Sequence, residues 1–269
     1  MPVSVEVCCE HIESVIAAYE GGADRVELCA DLANGGVTPS IGLVKVAREI
    51  LRRAVAQRTA LHVLVRPRGG PFCYTDIEWS CVLSDVEACR DAGADAVVVG
   101  ALDFQGHIDH EKIAQVVQLA RPMKVCFHRA FDVCTADHVS DANATEEAFA
   151  KGALDRLAAA GVDFVLTSGR AASAWEGRQL ISSLASAAPS TLRIMAGAGV
   201  SADNVAALIA ATRVCDVHAA SSVCSDRRPG YISSGSGASM GAASAGREDV
   251  FRCVDTCKVK ALVAAANPG

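Results

Sequence analysis

A five-residue pattern returns three times along the chain, as Gly22-Ala23-Asp24-Arg25-Val26, Gly93-Ala94-Asp95-Ala96-Val97 and Gly161-Val162-Asp163-Phe164-Val165. Each copy follows an alanine-rich stretch of helical character and opens an apolar run. A glycine in the left-handed conformation ends a helix, and the aspartate then starts a strand. The copies begin 71 and 68 residues apart, about the length of two βα units of an α/β barrel.

Filling the intervals places strands at 4–8, 24–29, 60–66, 95–100, 124–128, 163–167, 191–197 and 214–219. Helical patterns lie at 12–20, 43–53, 77–92, 113–120, 146–160, 175–187 and 202–211, with a last helix at 249–266. Strands rich in valine and leucine that alternate with helices predict a parallel sheet. The expected fold is α/β, a single (β/α)8 TIM-type barrel occupying residues 1–269. The alternative is an open doubly wound sheet, which usually carries a glycine-rich phosphate loop after its first strand, and Cys8-Cys9-Glu10-His11 is not one. Two segments stand outside the repeat, a polar loop near 134–145 and a Gly/Ser-rich loop near 225–246. Both are expected to be mobile.

At 269 residues, 51% of them hydrophobic, the chain has ample material for a large core. The net charge of −6 and the 4% aromatic content give no basic face or stacking platform, so no nucleic-acid partner is expected. No apolar run reaches the roughly 18 residues of a membrane span. The first ten residues carry acids where a secretory leader carries basic and apolar residues, which points to the cytoplasm. Twelve cysteines contain no C-x-x-C pair and read as reduced thiols, most of them small core residues.

The triplet Glu-x-Cys ends the first two strands, as Glu6-Val7-Cys8 and Glu27-Leu28-Cys29. Side chains alternate along a strand, so Val7 and Leu28 belong under the helices. Glu6, Cys8, Glu27 and Cys29 then face the barrel axis. Two thiols on neighbouring strands at matching levels suit a soft metal ion, Cu(I) above all. Alternatively they are interior filler. Arg66 and Arg68 at the end of strand three, with Arg129, Ser168, Gly197 and Gly199 at later strand ends, form a candidate anion-binding set. The three arginines are also the nearest cations by strand order to neutralise Glu6 and Glu27. By parity Cys126 and His128 face the interior, and strand eight adds His218. In an enzyme, Glu27 and His128 would be the acid–base candidates.

These motifs resemble the CutC copper-homeostasis family along nearly the whole chain. The likeness runs through Val5–Cys8, Gly21–Cys29, Gly35–Ser40, Val65–Gly70, Phe127–Asp132 and Leu166–Gly169, with a late Met240-Gly241. It implies a TIM-type barrel, a cytoplasmic homo-oligomer (dimer or tetramer), and copper handling with Cys8 and Cys29 as Cu(I) ligands. The chain departs from the family at Gly197-Ala198-Gly199, where three glycines are usual, and at Ala219-Ala220, where a serine and an arginine follow the histidine. Three readings stay open: a copper-binding protein, a barrel enzyme acting on a small anionic or phosphorylated substrate, and a structural barrel with a polar mouth.

Overall fold

The eight expected strands form and close into one parallel barrel in chain order, as a computed structural model describing residues 2–53, 59–135, 145–227 and 251–268 shows. The chain runs β1 (Ser4–Cys9), α1 (Ile12–Glu20), β2 (Arg25–Leu28), α2 (Ile41–Arg53), β3 (Ala60–Leu64), α3 (Asp76–Asp91) and β4 (Ala96–Val99). It continues through α4 (His110–Ala120), β5 (Lys124–Phe127), α5 (Ala130–Val133), α6 (Glu146–Ala159), β6 (Phe164–Thr167), α7 (Arg178–Ala187), β7 (Arg193–Ala196), α8 (Val205–Thr212) and β8 (Asp216–Ala219). β8 pairs back onto β1, which leaves no free edge.

The repeated motif has a job beyond starting a strand. Gly22, Gly93 and Gly161 take φ between 82° and 89° after their helices, where a Cβ would be strained. The aspartate two residues later then accepts a hydrogen bond from the backbone N–H of the preceding strand's second residue. Val5 N donates to Asp24 Oδ2 at 2.8 Å, Leu61 N to Asp95 Oδ2 at 2.8 Å and Val125 N to Asp163 Oδ2 at 2.9 Å. β2, β4 and β6 are thereby each clasped to the odd strand before them.

Period-two burial divides the core into two layers. Val5, Val7, Cys9, Val26 and Leu28 pack outward beneath the helices. Cys8, Cys29, Leu64, Val98, Cys126 and Met195 form a second cluster inside the barrel. The parity expected for both Glu-x-Cys triplets therefore holds.

The segment after β8 differs from expectation. Residues 224–227 are not loop, and residues 251–254 do not begin the last helix. They form an antiparallel pair, β9 (Cys224–Arg227) and β10 (Phe251–Val254), with Phe251 opposite Arg227. The last helix is α9 (Thr256–Ala266), and it starts late because Asp255 caps it through bonds from the N–H groups of Cys257 and Lys258. After β5 the chain makes the short α5 rather than entering a loop at once. The loops expected to be mobile fall largely on 136–144 and 228–250, which lie outside the described residues. No described helix is long and apolar enough to cross a membrane.

Candidate functional site

The barrel interior is charged at its base. Glu6 on β1 is completely buried and meets three nitrogen groups: Arg25 Nε at 3.2 Å, His62 Nδ1 at 2.7 Å and His218 Nδ1 at 2.9 Å. Arg25 also holds Asp216 at 2.7 Å, which in turn meets Arg193 at 2.7 Å. Burial alone would raise the Glu6 carboxyl, but His62, His218 and Arg25 outweigh it and hold the group well below its ordinary value. His218 is the mirror case. Burial works against its charge, while Glu27 and Glu6 together raise its pKa. The groups that answer Glu6 are thus Arg25 and two histidines. Arg66, Arg68 and Arg129 do not reach it, because they leave their strands at the mouth, beyond this layer.

Above that layer sit the thiols. Register places Cys8 opposite Glu27 rather than opposite Cys29, so the two cysteines are staggered along the barrel instead of level. Cys29 follows β2 by one residue and leans back, and the two Sγ atoms come within 3.4 Å. The bond to Cys29 and burial push the Cys8 thiol well above the ordinary cysteine value. Burial also raises Glu27. Sγ of Cys8, a carboxylate oxygen of Glu27 and a ring nitrogen of His218 all lie within 4.8 Å of one another, a spacing that fits a metal ion. His218 is presented to this group by Glu6. With Nδ1 on Glu6, its Nε2 looks toward Glu27 at 3.6 Å.

A cavity of about 240 Å³ opens over the thiols, and its lining includes Cys8, Glu27, Cys29, His218, Arg66, His128 and Arg129. The anion-binding candidates separate here. Arg66 is buried and lines the cavity. Arg129 also lines it, but is shared with Asp132 at 2.8 Å and Ser168 Oγ at 2.9 Å. Arg68 turns away to Glu78 at 2.5 Å and to the carbonyls of Pro71 and Cys73, and is not part of the cavity wall. Ser168 is tied to Asp132 and to the Ala171 carbonyl. Gly197 is a close-packing glycine, since a Cβ there would lie 2.6 Å from Leu166 Cδ1. Gly199 is a left-handed turn residue at φ 72°, and Ala198 between them lines the cavity with φ 77°.

His128 follows β5 and is 6% exposed. Its Nδ1 accepts the N–H of Ala130 at 3.1 Å, so the neutral ring carries its proton on Nε2. Burial, with Arg66 nearby, lowers its pKa to about 3. Such a ring offers a hydrogen-bond donor rather than a general base. The residues that the motif analysis passed over are Arg25, His62 and Asp216. Arg25 was within reach of parity, because it lies two residues before Glu27 on the same strand.

The CutC family model matches residues 3–223. A CutC family protein of Chromobacterium violaceum is 43% identical over 215 residues, covering 80% of this chain and 79% of that protein. The mouse copper homeostasis protein cutC homolog is 37% identical over 263 residues, 98% of this chain and 89% of that one. The crystal structure of CutC from Streptococcus agalactiae superposes with a TM-score of 0.72 at 31% identity, covering 80% of this chain and 97% of the other. Phosphoribosylanthranilate isomerase from Thermotoga maritima, at 12% identity and a TM-score of 0.57, shares the barrel alone. A thiol pair over a charged barrel floor, a family match spanning most of the chain, and a relative aligned from end to end agree: the chain belongs to the CutC family.

Proposed function

We propose that this copper-homeostasis family member binds copper as Cu(I) through Cys8 and Cys29 at the barrel mouth. The observation that carries the reading is the 3.4 Å separation of two buried sulfurs that approach from neighbouring strands. Thiolate is the ligand that Cu(I) prefers. Two sulfurs on opposite sides of a metal ion, with bonds of about 2.3 Å, would stand about 4.6 Å apart. The shorter spacing here would let both thiolates reach one ion, and Glu27 and His218 bring a ligand atom within 4.8 Å of the Cys8 sulfur. The same reading includes a cytoplasmic location and a homo-oligomer, dimer or tetramer. Twelve cysteines without a disulfide accord with a reducing compartment.

The test is titration of the reduced protein with Cu(I) against a competing chelator, at sub-stoichiometric copper so that the tightest site fills first. The Cys8→Ser/Cys29→Ser variant is expected to lose tight binding and keep its fold, because serine is close in size and a poor Cu(I) ligand. The Cys8 thiol is protonated at neutral pH and must give up its proton to bind. Affinity corrected for the chelator should therefore rise with pH, by at least the factor of about ten per unit that one released proton gives. Equal affinity in the two proteins would remove Cys8 and Cys29 as the site.

A further inference from the structure

The mouth also carries two buried donors with nothing to bond. Arg66 is 6% exposed. Its Nη1 donates to the carbonyls of Gly35 and Gly36, both at 3.0 Å, and its Nη2 to Gly70 at 2.7 Å. Its Nε has no partner among the described residues, and no described carboxylate lies within ion-pair distance of the guanidinium. His128 Nε2, which carries the ring proton, is likewise buried and unpaired. Phe72 packs against both, its ring centre 4.8 Å from the Arg66 Cζ and 4.7 Å from the His128 ring centre. Both side chains line the same cavity.

Native chains seldom leave one buried donor unsatisfied, and a guanidinium out of water without a counter-charge is rarer still. Two such groups lining one cavity ask for an acceptor that also carries negative charge. Water answers the N–H groups but not the charge. The cavity of about 240 Å³ equals roughly eight waters at about 30 Å³ each, far more than a bare metal ion needs. We propose that Arg66 and His128 form an oxyanion subsite in the barrel mouth, one that takes a small molecule bearing a carboxylate or phosphate group. The subsite lies beside the thiol pair and does not depend on copper. It draws on Arg66 alone of the strand-three arginines, and it uses His128 as a neutral donor.

The experiment is a titration of reduced protein, free of copper, with inorganic phosphate and separately with acetate, at fixed ionic strength made up with chloride. Binding is read from the His128 Nε2 signal in spectra of protein labelled with ¹⁵N-histidine. A saturable shift of that signal with phosphate alone supports a phosphorylated ligand, and with acetate a carboxylate one. The Cys8→Ser/Cys29→Ser variant is expected to respond as the wild type does, even should copper binding fail. His128→Leu, followed by calorimetry, is expected to weaken anion binding about tenfold or more, the worth of one hydrogen bond to a charged group. A wild-type signal unmoved by either anion, a shift of equal size with chloride, binding that vanishes with the thiols, or undiminished binding by His128→Leu would each overturn the proposal.

Discussion

Replacing Glu6 by glutamine is expected to destabilise the barrel by about 3–5 kcal/mol, the cost of removing one partner from a buried ionic cluster. Glu6 is the only carboxylate that meets Arg25, His62 and His218 together among the described residues. Glutamine preserves shape and some hydrogen bonding but removes the charge. Arg25 keeps Asp216, whereas His218 loses one of the two acids that raise its pKa. Urea denaturation of wild type and variant would measure the loss. A histidine titration should show the His218 pKa falling in the variant. The total stability of a domain is about 5–15 kcal/mol, so the variant would sit near the edge of folding. A loss below about 1 kcal/mol, typical of exposed pairs, would show that the cluster contributes little.

The second large effect is one of pH. His128 has a folded pKa of about 3 against an ordinary value of 6.5. The folded barrel therefore holds the neutral ring, while the unfolded chain takes up a proton as the solution acidifies. The stability from this group is complete above pH 6.5 and is lost as pH falls toward 3, about 1.4 kcal/mol per unit and about 5 kcal/mol in all. In His128→Leu that dependence is absent. The stability difference between wild type and His128→Leu is expected to shift by about 3 kcal/mol against the wild type from pH 7 to pH 4. Other titrating groups cancel in the comparison. A difference that stays constant over this range would mean that the ring is charged or hydrated in the folded state.

The architecture was legible in the sequence because backbone physics repeats. The motif glycines, the clasping aspartates and the alternation of Glu-x-Cys are local, and each fixes its own strand. The fourth copy was disguised. Arg213 occupies the glycine position at φ 59°, and Cys215 stands where the aspartate would be. The backbone still behaves alike, with Ser4 N bonding to Cys215 O as Ala60 N bonds to Asp24 O. What the sequence hid were the consequences of register and competition. Barrel stagger sets Cys8 against Glu27, which no single strand reveals. Arg68 looked equivalent to Arg66, but Glu78 sits in the first turn of α3, bound reciprocally to its Thr75 cap, and takes the Arg68 guanidinium. Asp255 was the missed signal in the last helix, a capping residue that marks where a helix can begin.

The substitution at Cys215 bears on how the barrel comes apart. Three strand pairs are sewn by a carboxylate across 19, 34 and 38 residues of chain, separations short enough for each βαβ unit to close early in folding. The pair β7–β8 lacks this carboxylate-to-backbone stitch and is crossed instead by the Arg193–Asp216 ion pair at 2.7 Å, half-exposed at its arginine. Its register partners are two, Met195 with Asp216 and Ala196 with Val217, as few as those of the stitched pair β5–β6. Barrel opening should begin there, by local fluctuations well below the global unfolding energy. Native-state hydrogen exchange is expected to release the β8 amides bonded to β7 before those of β2 bonded to β1. Exchange from both pairs at one common energy would mean that the ring opens as a single unit, with no seam.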